Sequence, residues 1–480
     1  MWRLPDGAVN RAPDMARLER ELARQSGFFV PDRPLFVSRA PGRLDLMGGF
    51  ADYSGGLVLE MPLARAAYAV AQADAAPRIT VRSADLRNAD HATVSLDLEE
   101  LAPNGVPIPY EAARARFARS EEEHWASYVA GVLLVLLREK GARCAQGLRV
   151  LVASDVPLGK GVSSSAAIEV AAMYAVAALL GLETGGRDVA LLCQKAENLV
   201  VGAPCGVMDQ MTAVFGERDK LVALLCQPAE LQEAVPVPEN VGIWAIDSGI
   251  RHAITGADYT SVRIGAFMGY RIIADMAKLT VTPAGDGRVQ IEDPLWGGCL
   301  VNLASSIYEA RFRSRLPETV SGREFVSHYG GTTDAVTQVD RSRIYAVRRP
   351  VEHPVYEQQR VRLVRSLLRA PAPDDEALSL IGEMMYQAHE SYNACNIGSD
   401  GTDRIVALAR EAGPRRGIFG AKITGGGSGG FVAVLGRAGA GDAVLEIASR
   451  YREASGKGGE VLSGSSDGAQ AFGVVEVGPD

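Results

Sequence analysis

The sequence predicts a mixed α+β chain with α/β-like stretches, organised as two domains, and three observations carry that expectation. At 480 residues the chain exceeds what one hydrophobic core ordinarily serves. Its hydrophobic content of 47% and charged content of 22% are those of a globular protein. Strand-like and helix-like patterns interleave along the whole length.

Taken in order, residues 10–26 carry the spacing of an exposed helix. PLFVSRAPG, from Pro34, is a strand ending at a Pro-Gly turn, and GLVLEMPLARAAYAVAQA (56–73) continues with β-type runs. GLRVLVASDVP (147–157) is a strand stopped by Pro157. AAIEVAAMYAVAALLGL (166–182) is apolar on nearly every side, the pattern of a buried helix. RDVALLCQKAENLVV (187–201) places apolar residues at 189, 192, 193, 196, 199 and 200, an amphipathic helix. VGIWAIDSG (241–249) is a further strand, and VTPAGDGRVQIEDPLWGG (281–298) is dense in turn residues and reads as a surface insertion. RAPAPDDE (369–376) punctuates the approach to a helix at 377–394. No fixed-period repeat is present.

Composition excludes several classes. Lys and Arg number 50 against 58 Asp and Glu, a formal charge of −8, which argues against nucleic acid or an anionic membrane as partner. The six cysteines are scattered without a CxxC pair, so neither a zinc site nor a disulfide framework is expected. The N-terminus lacks the apolar core of a signal peptide, and the longest apolar run, 166–182, carries Glu169 and is short of a membrane span. A cytoplasmic protein is expected.

Three glycine-rich loops carry the chemistry. PLGKGVSSSAA (157–167) joins a strand to the buried helix; its glycines let backbone wrap an anion, and the free N–H groups and positive dipole of a helix start favour phosphate there. No Walker A frame fits, and a dinucleotide fingerprint on Gly159-x-Gly161 fails because Ser164 stands where the third glycine belongs. On this loop alone an ordinary capped helix and a phosphate cradle remain equally open. KITGGGSGGF (422–431) has five glycines in six residues between apolar strand-like runs, which implies close approach of backbone to something. APGRLDLMGGFADYSGG (40–56) is the third. Between them, QKAENLVVGAPCGVMDQMTAVFG (194–216) sets Glu197 and Asp209 among Val, Met, Cys and Pro, where a carboxylate needs a partner or a task.

With these stretches in hand, APGRLDLMGGFADYSGG, PLGKGVSSSAAIEVA and AKITGGGSGGFVAV resemble, in order, the three signature motifs of the GHMP small-molecule kinases. AENLVVGAPCGVMDQ resembles the galactokinase branch, and the likeness, over roughly residues 35–473, is nearest to its arabinokinase group. Plant members of that group carry a glycosyltransferase-like half ahead of this region, where the present sequence shows only a short helical pattern. The resemblance implies a helical extension (1–30), a ribosomal-protein-S5-like, ATP-binding N-terminal domain (31–240) and a ferredoxin-like C-terminal domain (241–480), with the active site between the two domains.

It also implies ATP and Mg²⁺ as cofactors and a monosaccharide as the small-molecule partner. Gly159, Gly161, Ser163, Ser164 and Ser165 match the phosphate cradle, Ser165 and Glu197 the magnesium ligands, and Gly425, Gly426 and Gly427 the loop closing over the site. Asp209 matches the catalytic base for the anomeric hydroxyl and Arg43 the cation between that base and the transferring phosphoryl. Asp52, Tyr259 and the backbone of Gly206 match sugar contacts. Where galactokinases have Gly-Glu-His-x-Asp-Tyr, with Glu-His serving the 6-hydroxyl, this chain has Gly49-Phe50 and keeps Asp52. An apolar Phe50 suits L-arabinopyranose, which has the galactose ring configuration without C6. The implied reaction is therefore 1-phosphorylation of L-arabinose. A galactokinase, a uronic-acid 1-kinase, a non-catalytic sugar sensor and a nucleotide-dependent dehydrogenase are the competing expectations. Lys160, standing where galactokinases have a small residue, is expected to be solvated; His252, His389 and Asp467 to be structural; Arg251 to be a surface or interdomain contact; and Cys205 to be a packing residue.

Overall fold

The computed structural model describes residues 15–86, 91–144, 146–251 and 257–478. The first part of the helix expected over 10–26, and His252, lie outside these residues; the described part of that helix is Met15–Arg24.

Among the described residues the first sheet has nine strands. These are β1 (Leu35–Met47), β2 (Leu57–Asp74), β3 (Arg78–Ser83), β4 (Thr93–Asp97), β5 (Gly147–Ser154), β6 (Lys220–Leu225), the short β7 (Glu230–Leu231) and β8 (Val235–Pro236), and one strand from near the end of the sequence. β1 and β2 are buried almost throughout. The helix Ser164–Leu179 packs across both, and Met15, Leu18 and Leu22 of the N-terminal helix join a cluster with Val37, Tyr68, Val70 and Leu151. β2 serves two partners along its length, pairing β6 over Leu57–Glu60 and β5 over Ala67–Asp74. Every pairing in this sheet is antiparallel except β3 with β5.

β1 does not end at the Pro-Gly turn; it runs through it. Its pairing with β2 shifts register between Pro41 and Arg43 and again between Asp45 and Met47. Pro41 is tolerated because the strand on the other side of β1 pairs only with Leu35–Ser38, so no ladder bond is asked of the missing N–H. The first shift brings β1 against the 157–167 loop. A Cβ on Gly42 would lie 2.7 Å from the Val162 carbonyl, and the Arg43 N–H donates to that carbonyl at 3.1 Å. A register shift of this kind re-aims side chains, here Arg43 and Asp45.

The second sheet has the order β14 (Ile418–Ile423), β15 (Phe431–Arg437), β9 (Val241–Asp247), β16 (Val461–Ser463), all antiparallel. With helices between β9 and β14 and between β15 and β16, this is the split β-α-β arrangement of a ferredoxin-like sandwich. β17 (Val474–Val477) returns to the first sheet and pairs with β1, so residues 241–480 contribute a strand to each sheet. A core cluster containing Leu44, Leu46, Val162, Ile243, Met385 and Phe431 joins the two sheets.

Three other expectations are refined. The surface insertion expected over 281–298 contains a largely exposed hairpin: β10 (Thr280–Gly285) and β11 (Arg288–Glu292) meet across a turn with Asp286 and Gly287 at positive φ. Between it and the helix Arg348–Leu368 lies a further pair, β12 (Thr319–Ser321) with β13 (Ile344–Ala346). The helix expected over 187–201 is α-helical for Gly186–Lys195 and widens into a π-turn, Ala196–Val201, that carries Glu197 and ends on left-handed Gly202. The helix at 377–394 is Asp375–Ala394, begun by Asp374, whose side chain accepts from Ala377 N. No described helix is long and apolar enough to cross a membrane.

Candidate active site

The three glycine-rich loops, far apart in sequence, line or buttress one cavity at the junction of the sheets. In the 157–167 loop Gly159 and Gly161 take φ of 64° and 71°, and Ser163, the residue before the helix, takes φ of 58°. Positive φ at every other residue from Gly159 to Ser163 curves the backbone, a conformation in which N–H groups can gather on an anion. The buried Ser163 hydroxyl has no hydrogen-bond partner among the described residues, and it lines the cavity, so a donor stands ready there for a ligand. Of the 422–431 loop only Gly426 lines the cavity; Gly425 and Gly427 are buttresses. A Cβ on Gly425 would lie 2.8 Å from the Gly161 carbonyl, and one on Gly427 would collide with the Ile397 carbonyl.

Arg43 is the hub. Its Nε donates to Asp209 Oδ1 at 2.9 Å, its Nη2 lies 2.8 Å from the same oxygen, and its Nη1 donates to the Gly161 carbonyl at 2.7 Å. Glu60, fully buried on β2, lies 3.3 Å from Nε. Burial works against the guanidinium charge, but Asp209, Glu60 and Asp45 together push its pKa up, so Arg43 stays a cation. Asp209 begins the helix Met208–Phe215, where the positive end of the dipole favours a carboxylate.

The acids around it are crowded and under-partnered. Asp52 is buried; burial first and Asp209 second push its pKa up to about 6, and its Oδ1 has no hydrogen-bond partner among the described residues. Its other oxygen rests on Gly206, where any Cβ would collide with it. Glu197 is pushed up to about 7, again by burial and then by Asp209, against hydrogen bonds from Ser165, Cys205 and Gln210. Gln210 Nε2 donates to Glu197 at 2.6 Å and reaches Glu169 at 3.4 Å. Among the described residues no group of three His, Cys, Asp or Glu is placed to hold a metal ion. Ser165 and Glu197 supply two oxygens, which fits a magnesium ion that completes its shell with water and phosphate and would not fit a metal needing an all-protein cage.

Phe50 also lines the cavity, with its ring stacked on His353 at 3.5 Å between centroids and edge-on to Tyr392 at 4.5 Å. Burial holds the His353 imidazole well below its usual pKa, hence neutral. Gly49 sits behind Phe50, and a Cβ there would collide with Tyr392 Oη and Asp45 Oδ2. Asp45 is in turn paired with the fully buried Lys422 at 2.6 Å, a bond that ties the 40–56 loop to the strand leading into the glycines of 425–430. Beside the 157–167 loop lies a second, apolar cavity of about 280 Å³, lined by Leu86, Trp125, Tyr128, Leu158 and Ile168 among others and sharing Gly159, Ser164 and Ser165 with the first.

The main cavity thus gathers Arg43, Phe50, Asp52, Gly159, Gly161, Ser163, Ser164, Ser165, Glu197, Gly206, Asp209, Tyr259 and Gly426, while Gly49, Gly425 and Gly427 stand behind its walls. Lys160 departs from its expected solvation: its ammonium bonds both oxygens of Asp247 at 3.0 and 3.1 Å. His389 is buried, 3.0 Å from Asp403, and the Cys205 thiol is pushed well up by burial, so neither has the character of a catalytic group. Asp467 accepts from Arg218 N, and Arg251 is exposed. Sequence reasoning missed Glu60, Gln210, His353, Tyr392 and the Asp45–Lys422 pair. Only Glu60 carried a signal, an acid inside an apolar strand run.

Comparison with known proteins gives a consistent picture. Residues 127–217 match the GHMP kinases N terminal domain, 365–454 the GHMP kinases C terminal domain, and 27–73 the galactokinase galactose-binding signature. L-arabinokinase of Arabidopsis thaliana is 43% identical over 501 aligned residues, 95% of this chain and 48% of that protein. Galactokinase of Chloroflexus aurantiacus is 34% identical over 241 residues, 50% of this chain and 56% of its own. The chain therefore spans about half the length of these curated relatives. The structure of Lactococcus lactis galactokinase complexed with galactose superposes with a TM-score of 0.71 at 19% identity, over 94% of this chain and 99% of that one. A mevalonate kinase superposes with a TM-score of 0.53 at 13% identity, over 92% and 99%. Both share the two-domain fold.

Proposed function

Because the chain belongs to the GHMP kinase family, we propose that it is an ATP-dependent, magnesium-requiring sugar 1-kinase that converts L-arabinose to L-arabinose 1-phosphate and ADP. The observation that carries the reading is the Arg43–Asp209 pair standing between the phosphate loop and the Phe50–Asp52 wall of one cavity. Phosphoryl transfer asks a protein mainly to position two reactants and neutralise charge.

In this reading the 157–167 loop and the helix start behind it hold the ATP phosphates, and the apolar cavity beside the loop takes the nucleotide base. Ser165 and Glu197 hold Mg²⁺, which when bound neutralises phosphate charge. Asp209 accepts the proton of the anomeric hydroxyl, and Arg43, bonded to both Asp209 and the loop, lies where charge develops. Asp52 accepts from ring hydroxyls through its free oxygen, with Tyr259 and the Gly206 backbone completing the sugar contacts. Phe50 faces the place of a C5 substituent. Galactose would press its 6-hydroxyl against that ring without a partner, a cost of about 1–3 kcal/mol.

A galactokinase is the second reading, favoured by the galactose-binding signature over residues 27–73. The six free cysteines, together with the need for ATP, fit a cytoplasmic enzyme. The test is ADP release with Mg-ATP against L-arabinose, D-galactose, L-fucose, D-galacturonate and D-glucuronate, with the 1-phosphate identified by NMR. L-Arabinose is expected to lead in kcat/KM. If galactose or a uronate leads, the reading of Phe50 is wrong; if no sugar releases ADP, the kinase reading is wrong and a sugar sensor takes its place.

A further inference from the structure

The 157–167 loop is attached to the second sheet through Lys160, which lines the cavity with its neighbours yet gives its ammonium to a carboxylate of that sheet. Lys160 lies between Gly159 and Gly161, two glycines at positive φ, and carries the only side chain of that tripeptide. Its carbonyl accepts from Phe431 N at 3.1 Å, at the start of β15. Its ammonium meets both carboxylate oxygens of Asp247, at the end of β9. Asp247 is itself braced, its Oδ1 accepting from Gly249 N at 2.8 Å and its backbone bonded to Gly459 and Glu460. Both members are mostly buried, with side-chain exposures of 18% and 10%. Gly430 must be glycine for this contact, since a Cβ there would collide with the Lys160 carbonyl.

A loop with glycines on both sides of one residue loses much backbone freedom on ordering. Arg43 holds the Gly161 and Val162 carbonyls from within the first half of the chain, and Lys160 adds one backbone bond and one ion pair that reach to the second half. We propose that Lys160 and Asp247 form a clasp that holds the phosphate loop shut against the second sheet, making them positioning residues for the nucleotide rather than its ligands. The proposal rests on the reading that this loop takes the ATP phosphates. The lysine charge is already matched by Asp247, so the clasp closes the loop without adding a strong unpaired cation beside the phosphates, which would slow release of ADP.

The two ends of the pair provide the test. In the full chain, ATP affinity is measured by calorimetry and L-arabinose KM by steady-state kinetics for Lys160→Met, Asp247→Asn and the exchange Lys160→Asp with Asp247→Lys. Each single variant is expected to weaken ATP binding about 5–20-fold, with the sugar KM within about twofold, and the exchange to recover most of the loss. Tighter ATP binding by Asp247→Asn would overturn the clasp, because a freed lysine would then be acting as a phosphate ligand. So would unchanged ATP affinity in both single variants. If either fails to fold, Lys160→Arg decides: wild-type ATP affinity supports the clasp, and a loss with intact fold refutes it. If the unaltered chain binds no nucleotide, the phosphate reading has failed. The clasp is then judged by amide exchange in residues 157–163, which it requires to be faster in Lys160→Met than in the unaltered chain.

Discussion

Phe50 and Asp52 are separated by one residue and line the same cavity, yet Phe50 is stacked on His353 and edge-on to Tyr392 while Asp52 keeps a buried oxygen without a described partner. Around Phe50 the polar groups are matched: His353 meets Ser391 at 2.9 Å, Tyr392 donates to the Gly425 carbonyl at 2.7 Å, and Asp45 is paired with Lys422. Around Asp52 the acids outnumber the cations, and Glu197, Glu169 and Glu60 are all pushed upward by burial. A wall that only excludes can be finished in the free protein. In the proposed reading the other wall takes up hydroxyls, a proton and a metal ion, and it stays unfinished in the free protein because those partners arrive with the substrates.

The largest test of this contrast is Asp209→Asn. Turnover should fall about 10²–10⁴-fold, with sugar binding by calorimetry nearly unchanged; near-normal turnover would remove Asp209 as the base. Next is Gly49→Ala on the finished wall. Its methyl would strike Tyr392 and Asp45, and urea unfolding should show a loss of about 1–3 kcal/mol. A neutral result would mean the wall is more pliable than its packing implies. The same collision makes Gly49→Glu a poor route to a galactose enzyme, so Phe50→His alone is the cleaner probe. It should raise the galactose to L-arabinose ratio of kcat/KM about tenfold, and an unchanged ratio would reduce Phe50 to packing.

The smallest effects are those of pH. A carboxyl whose pKa is raised on folding, as Asp52 is to about 6, binds its proton more tightly in the native state. Its contribution to stability is full below the unfolded pKa near 4 and is lost as pH rises through about 6. Asp52→Asn should therefore leave the ligand-free protein more stable at pH 8, by about 1–3 kcal/mol, while weakening sugar binding. In the unaltered enzyme kcat/KM for sugar should fall as pH drops below about 6. Asp52→Asn as unstable as the parent at pH 8 would show that the acid wall carries no such strain.

Much of this contrast could be read from residue order, and part could not. The loops announced themselves because glycine density between apolar runs has few other uses, and the buried helix after Ser164 because it is apolar on all sides. Pro41 misled for a physical reason: a proline and a glycine normally end a strand, and only the short reach of β17 along β1 makes Pro41 harmless. The π-turn that lowers Glu197 into the cavity leaves no mark in the spacing of its apolar neighbours. His353 and Tyr392 were invisible because ring stacking joins residues some 300 positions apart, and no local pattern encodes such a contact. Lys160 was misjudged because its carboxylate partner lies in the other half of the chain.

The pairing of Leu35 with Val477 also has a bearing on how the protein is made. In order of synthesis, β1 precedes by a long stretch of chain the strand that covers its outer edge. Phe431, which the Lys160 carbonyl awaits, is also late. A growing chain must therefore carry a bare strand edge and a loosely held loop until those later residues are made, the state in which sheets join wrong neighbours and chaperones are needed. Ribosome-stalled chains of increasing length should gain ATP binding only after Phe431 has emerged, so that the site is assembled by strands made long after its loop.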